Sequence, residues 1–119
     1  NPIDEMVKNA DKWMNLDTSV GFCVKPVLQW LPNKEYRPDV IFYDGEVGDN
    51  MVANLEHLHE QAKDNYILII DDANFNGVVD NAKKFQEDKE VVFEKTLRTE
   101  IAEDDKSWWN GLHIMVISK

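Results

Sequence analysis

Three segments of this chain carry apolar side chains at helical spacing. Residues 3–16 place them at three- and four-residue steps, with Pro2 before the segment and acidic side chains in its first turn. Residues 50–62 and 78–85 show the same spacing on one face. The pattern predicts amphipathic helices in all three segments. In the first helix the apolar positions are Ile3, Met6, Val7, Ala10, Trp13 and Met14.

Short apolar runs lie between these helices. Residues 40–43 (VIFY) and 66–70 (YILII) are unbroken, which is typical of strands buried on both faces of a parallel sheet. Residues 19–24, 91–98 and 112–117 are further β-prone segments, and the last two have no helix between them. The order predicts a single α/β domain over residues 1–119, with a mostly parallel sheet and an antiparallel hairpin at its C-terminal edge.

Composition narrows the function classes. The 119 residues suffice for one domain, and the five glycines form no G-x-G, which excludes the dinucleotide-binding loop and the P-loop. A formal charge of -10 opposes binding to nucleic acid or to an anionic membrane. No apolar run reaches membrane-spanning length, and lone Cys23 fits a reducing compartment, so we expect a cytoplasmic protein.

Acidic side chains follow the two central apolar runs. Asp44 ends the first run, and Asp71 and Asp72 end the second. In open α/β sheets ligands bind at the carboxyl ends of the strands, so these carboxylates would converge there and hold Mg²⁺ or Ca²⁺. Glu46 would lie at the rim of the same site as a general base. The alternative is that each aspartate only caps the turn that follows it.

Two families carry acids at such strand ends. PDVIFYD and YILIIDD look like the acid-bearing strands of a response-regulator receiver, but there the pair precedes the single aspartate, the reverse of the order here. PDVIFYDGE, YILIIDDANFNGVVDNAKKF and LHIMVIS, in this order, resemble the second half of a class I S-adenosylmethionine-dependent methyltransferase. The resemblance is closest to the metal-dependent O-methyltransferases of the macrocin type, and VKPVLQWLP at 24–32 adds to it.

This resemblance implies a Rossmann-like fold that lacks its first strands, and Mg²⁺-assisted methylation of a hydroxyl on a small molecule or sugar. Asp44, Asp71 and Asp72 would bind Mg²⁺, and Glu46 would remove the hydroxyl proton. The other implied contacts are S-adenosylmethionine at Lys25 and Asp44, and the small-molecule acceptor at Asn74, Trp108 and Trp109.

The family's glycine-rich donor loop is not among these residues, and Pro26 stands where related enzymes often carry Gly or an acid. The chain would therefore be the C-terminal portion of a larger enzyme and inactive alone. The alternative is a non-catalytic α/β interaction module whose strand-end acids are structural. For Asn74 a turn before Gly77 is the other interpretation, and for Trp108 and Trp109 packing against the hairpin. The sequence leaves open whether the chain forms a homo-oligomer.

The histidines suggest no catalytic role. His57 and His59 lie two residues apart on a predicted helix, so they face different ways, and we expect both at its solvated surface. His113 lies within the last predicted strand, where we expect a packed position.

Overall fold

A computed structural model describes residues 4, 5, 8, 9, 26–99 and 110–119. The predicted strand at 19–24, the acidic loop at 100–107 and the site residues Lys25, Trp108 and Trp109 lie outside them. Of the predicted first helix, Asp4, Glu5, Lys8 and Asn9 are described, and all four are helical and exposed.

The described residues form a four-stranded sheet. Its strands are β1 (Val40–Tyr43), β2 (Asn65–Asp71), β3 (Glu90–Leu97) and β4 (Leu112–Ser118), in the order β1-β2-β4-β3. β1 and β2 are parallel, whereas β4 runs antiparallel to both β2 and β3. The predicted C-terminal hairpin is confirmed. The sheet of these four strands is mixed rather than mostly parallel, because β4 inserts between β2 and β3.

Two helices connect the strands, α1 (Met51–Gln61) and α2 (Asn76–Gln86). Both pack on the same face of the sheet and bury their apolar stripes against its alternate residues. This core contains Met51 and Leu55 from α1, Val78, Ala82 and Phe85 from α2, and Ile41, Tyr43, Tyr66, Leu68, Ile70, Met115 and Ile117 from the strands. Within the described part of the chain, no helix is both long and apolar enough to cross a membrane.

The two faces of the sheet differ in burial, contrary to the sequence prediction of strands buried on both sides. Along β1, exposed and buried residues alternate, and the side chains of Val40 and Phe42 are 53% and 58% exposed. β2 begins with the same alternation. The physical reason is that α1 and α2 lie on one face, so the apolar residues of the other face have no helix against them among the described residues.

The polar side of α1 is more engaged than the sequence suggested. His57 Nε2 lies 2.7 Å from the carbonyl oxygen of Trp30, which joins the segment before β1 to the helix. His59 Nδ1 lies 2.8 Å from the hydroxyl of Tyr66 on β2. The prediction of two freely solvated histidines is therefore wrong for both side chains, since each has a tertiary partner.

Candidate functional site

Three carboxylates meet at the carboxyl ends of β1 and β2. Tyr43 pairs with Ile70 in the parallel register, so Asp44 and Asp71 follow residues that are already neighbours. One carboxylate oxygen each from Asp44, Asp71 and Asp72 lies within 4.8 Å of the other two. The convergence that the sequence predicted is present in the structure.

The backbone at Asp72 takes a conformation that is uncommon for a residue with a side chain. Its φ is 63°, in the left-handed region that Asp tolerates better than most residues. The N–H of Asp72 donates to Asp71 Oδ1 at 2.8 Å, and the Asn110 amide donates to Asp72 Oδ1 at 3.3 Å. A turn then follows, closed by the N–H of Phe75 donating to the Asp72 carbonyl at 3.0 Å.

Asn110 and Gly111 press the start of β4 against this turn. Their carbonyl oxygens accept from the N–H groups of Asn74 at 2.6 Å and Ala73 at 3.2 Å. Gly111 has a φ of 85°, and a Cβ there would lie 2.7 Å from the carbonyl oxygen of Leu97. Only glycine fits this approach without strain, so Gly111 helps to bring Asn110 against Asp72.

The donor set of the cluster suits a hard divalent cation. Two ligands of one ion lie at most twice the metal–oxygen distance apart, which is about 4.2 Å for Mg²⁺ and about 4.6–5.2 Å for Ca²⁺. Oxygens within 4.8 Å of one another therefore fit Ca²⁺ directly and Mg²⁺ after a small side-chain movement. Asp44 is exposed and the other two are half-buried, so the site is accessible from solvent.

Glu46, the predicted base, lies outside the three-acid cluster. Its exposed carboxylate accepts from the Asn50 amide at 3.2 and 3.3 Å. Its backbone carbonyl accepts from the Tyr43 hydroxyl at 2.8 Å, and that hydroxyl also accepts from Asn54 at 3.2 Å. Burial raises the pKa of Tyr43; the hydrogen bond from Asn54 opposes this rise, and the charge of Glu46 adds to it. Tyr43 is therefore a neutral phenol that holds the Glu46 backbone.

A pocket of about 330 Å³ opens beside Glu46. One wall is apolar and comes from residues 26–28, which include a short 3-10 turn at Val27–Gln29. The other wall carries the side chains of Glu46, Asn50 and Asn54. The segment after Lys25 therefore lies close to the proposed base.

Asn74 uses its side chain within the protein. Its amide donates to the carbonyl and hydroxyl oxygens of Thr99 at 2.9 and 3.0 Å, and its Oδ1 accepts from the Thr99 N–H at 2.9 Å. The proposed contact of Asn74 with an acceptor stays a prediction, since the structure gives its amide a structural partner.

A second polar group of residues lies beneath α2. His113 is fully buried; its Nδ1 lies 2.8 Å from Thr96 Oγ1, and its Nε2 lies 3.5 Å from Glu94 Oε1 without a hydrogen-bond partner among the described residues. Glu94 also accepts from Lys83 at 3.2 Å and from Gln86 at 2.9 Å. The packed position expected for His113 is confirmed.

Sequence reasoning did not find Asn110 as a partner of the acids. The signal was the Asn-Gly pair before the last strand, which marks a turn but not its contact with Asp72. No protein-family model, no curated protein and no solved structure matches this chain. The functional interpretation therefore depends on the geometry of these residues.

Proposed function

We propose that this chain is the metal- and acceptor-binding part of a class I S-adenosylmethionine-dependent methyltransferase that methylates a hydroxyl of a small molecule or sugar with the help of Mg²⁺. The observation that carries the proposal is the convergence of Asp44, Asp71 and Asp72. These are the acids that the family motifs would assign to the metal.

The arrangement of strands supports a Rossmann-like origin. In the doubly wound fold the fourth, fifth and sixth strands lie side by side at one end of the sheet. β1, β2 and β3 keep that order here and run in one direction, with the reversed β4 inserted between β2 and β3. The acids lie at the carboxyl ends of β1 and β2, where ligands bind in such folds.

Each residue of the proposed site has one task. Asp44, Asp71 and Asp72 would hold Mg²⁺, which supplies a lowered pKa and a fixed orientation for an acceptor hydroxyl. Glu46, with its carboxylate exposed and oriented by Asn50, would take the hydroxyl proton. The pocket beside Glu46 would receive a ligand group with an apolar side against residues 26–28 and hydrogen-bonding atoms toward the two asparagines.

The methyl donor needs contacts that these 119 residues only partly supply. Lys25 and Asp44 are the proposed donor contacts within the chain, whereas the family's glycine-rich loop has no counterpart here. Methyl transfer is therefore proposed for a larger protein that contains this chain, in the cytoplasm, and the isolated chain is expected to be inactive.

One observation favours a second candidate, a non-catalytic module with structural acids. Asp71 already accepts from the Asp72 N–H, and Asp72 accepts from Asn110. Hydrogen bonds of this kind also occur where aspartates only shape a turn. In that case the cluster would bind no cation.

Calorimetric titration with Mg²⁺ separates the two candidates. Asp72→Asn keeps the size of the side chain and its tolerance of a left-handed backbone but removes a charged ligand. Asp80→Asn is the matched control, because Asp80 is exposed on α2. We expect Mg²⁺ to bind the parent chain and the control alike, and at least about tenfold more weakly to Asp72→Asn.

Absence of any Mg²⁺ binding by the parent chain would contradict the proposed function and favour the structural interpretation. The donor half is tested separately with a protein extended by its own coding sequence upstream of Asn1. There we expect S-adenosylmethionine to bind, and binding of neither ligand would exclude a methyltransferase.

A further inference from the structure

The face of the sheet opposite α1 and α2 is apolar, and we call it the open face. The register places two rows of three side chains on it: Val40, Ile67 and Val116 form one row, and Phe42, Ile69 and Ile114 form the other. These strand positions alternate with the residues packed under the helices. Val40, Phe42 and Ile67 are 53%, 58% and 37% exposed. Six adjacent aliphatic and aromatic side chains on a sheet indicate a surface that something covers.

The predicted helix at 3–16 has the complementary property. Its described residues Asp4, Glu5, Lys8 and Asn9 are helical and exposed, and at 100° per residue they fall within an arc of about 140°. The same steps place Met6, Val7, Ala10, Trp13 and Met14 on the opposite side. A helix with this distribution must bury its apolar side to be stable in water.

We infer that the helix of residues 3–16 packs its apolar side on the open face and so completes a three-layer α/β/α domain. Fourteen helical residues are about 21 Å long. Strands of four to seven residues such as β1, β2 and β4 are about 13–23 Å long, so the lengths match.

The connection to the rest of the chain permits this placement. Residues 17–25 can span about 30 Å when extended, whereas the sheet is only about 14 Å wide between its outer strands. The segment that follows is fixed at Trp30, whose carbonyl oxygen contacts His57 on α1. The helix can therefore reach any row of the open face.

A second copy of the chain suits this surface less well. Six positions on one face, at about 4.8 Å between strands and about 6.7 Å along them, occupy roughly 200 Å² of sheet. A stable interface needs about 800 Å² from each partner. Each copy also carries a formal charge of -10, so two copies repel each other. An attached helix, in contrast, is present at a high effective concentration.

Site-directed photo-crosslinking of the full chain tests the inference. Phe42 is replaced by p-benzoyl-phenylalanine, irradiated at low micromolar concentration, and the attached peptide is identified by mass spectrometry. We expect attachment to residues 3–16 of the same chain. The matched control carries the same photoreactive residue at Asp80, an exposed position on α2, and should not attach to that segment. Attachment of Phe42 to a second chain, or to solvent alone, would overturn the inference.

Thiol labelling provides a second measurement that does not depend on crosslinking. In a Cys23→Ser background, Phe42→Cys should react at least about tenfold more slowly than an unprotected thiol, because labelling then requires the helix to detach. Met6→Asp with Trp13→Asp should remove this protection, whereas Asp4→Asn with Lys8→Gln should keep it. Full reactivity in the parent background, or protection that grows with protein concentration, would contradict an intramolecular cover.

Discussion

The protein contains two groups of interacting charged residues whose charges are balanced differently. We call Asp44, Asp71 and Asp72 the acid cluster, and Glu94 with Lys83, Gln86 and His113 the Glu94 cluster. In the Glu94 cluster one carboxylate accepts from an ammonium and an amide. In the acid cluster the hydrogen bonds given to the carboxylates come from one backbone N–H and the Asn110 amide.

The electrostatic consequence follows from these partners. The hydrogen bond from Gln86, with the nearby charge of Lys83, holds the pKa of Glu94 below its usual range, so this carboxylate stabilises the fold as an anion. Three formal negative charges at the ends of β1 and β2 instead repel one another, and a divalent cation would relieve this repulsion. Balanced charge thus indicates a structural role, and unbalanced charge indicates a binding site.

The largest expected effect is on the backbone that supports the acid cluster. Gly111→Ala places a Cβ 2.7 Å from the Leu97 carbonyl oxygen and adds the cost of a φ of 85° for a residue with a side chain. We expect a loss of about 3 kcal/mol in the free energy of unfolding, from strain and overpacking together. Denaturant titration measures it.

Gly77→Ala is the matched control, because a Cβ at Gly77 meets no atom within 4 Å. Gly77 lies in α2, where alanine is the better helix former. A loss in Gly111→Ala no larger than that of the control would contradict the tight approach of β4 to the Asp72 turn.

A smaller effect is expected from acid, acting on the Glu94 cluster. Burial lowers the pKa of His113; Glu94 opposes this shift, and Lys83 adds to it. His113 is therefore neutral in the folded protein at pH values where the unfolded chain, with a His pKa near 6.5, already binds a proton. Stability is full above about pH 6.5 and falls as the pH decreases toward the lowered pKa, by at most about 1.4 kcal/mol per pH unit.

His59 contributes in the same direction, because burial lowers its pKa as well. Denaturant titrations of the parent chain between pH 7.5 and 5 therefore need two variants, His113→Leu and His59→Leu. We expect each to reduce the slope of stability against pH. A slope unchanged in His113→Leu would show that the buried imidazole takes up no proton on unfolding in this range.

Much of the acid cluster could be predicted from the sequence, whereas its surroundings could not. Two apolar runs that end in aspartate place their carboxylates together whenever the strands are parallel neighbours, as β1 and β2 are. The exposed face of the sheet was missed because unbroken runs such as VIFY conceal the two-residue period that marks a half-buried strand. Asn110 lies 38 residues from Asp72 in sequence and reaches it only because β4 inserts beside β2.

The smallest expected effect concerns the surface pair of the Glu94 cluster. The side chains of Lys83 and Glu94 are 58% and 30% exposed, so their 3.2 Å ion pair is well solvated. We expect Lys83→Met to change the free energy of unfolding at pH 7.5 by less than about 0.5 kcal/mol. The same substitution removes a positive charge that lowers the pKa of His113, so stability should fall less steeply between pH 6.5 and 5 than in the parent chain. Exposed Lys84, also in the last turn of α2, provides the control Lys84→Met, which should leave the slope unchanged. Equal slopes in Lys83→Met and Lys84→Met would mean that the balance of charge around Glu94 does not extend to the buried histidine, and the contrast with the acid cluster would then be limited to the carboxylate itself.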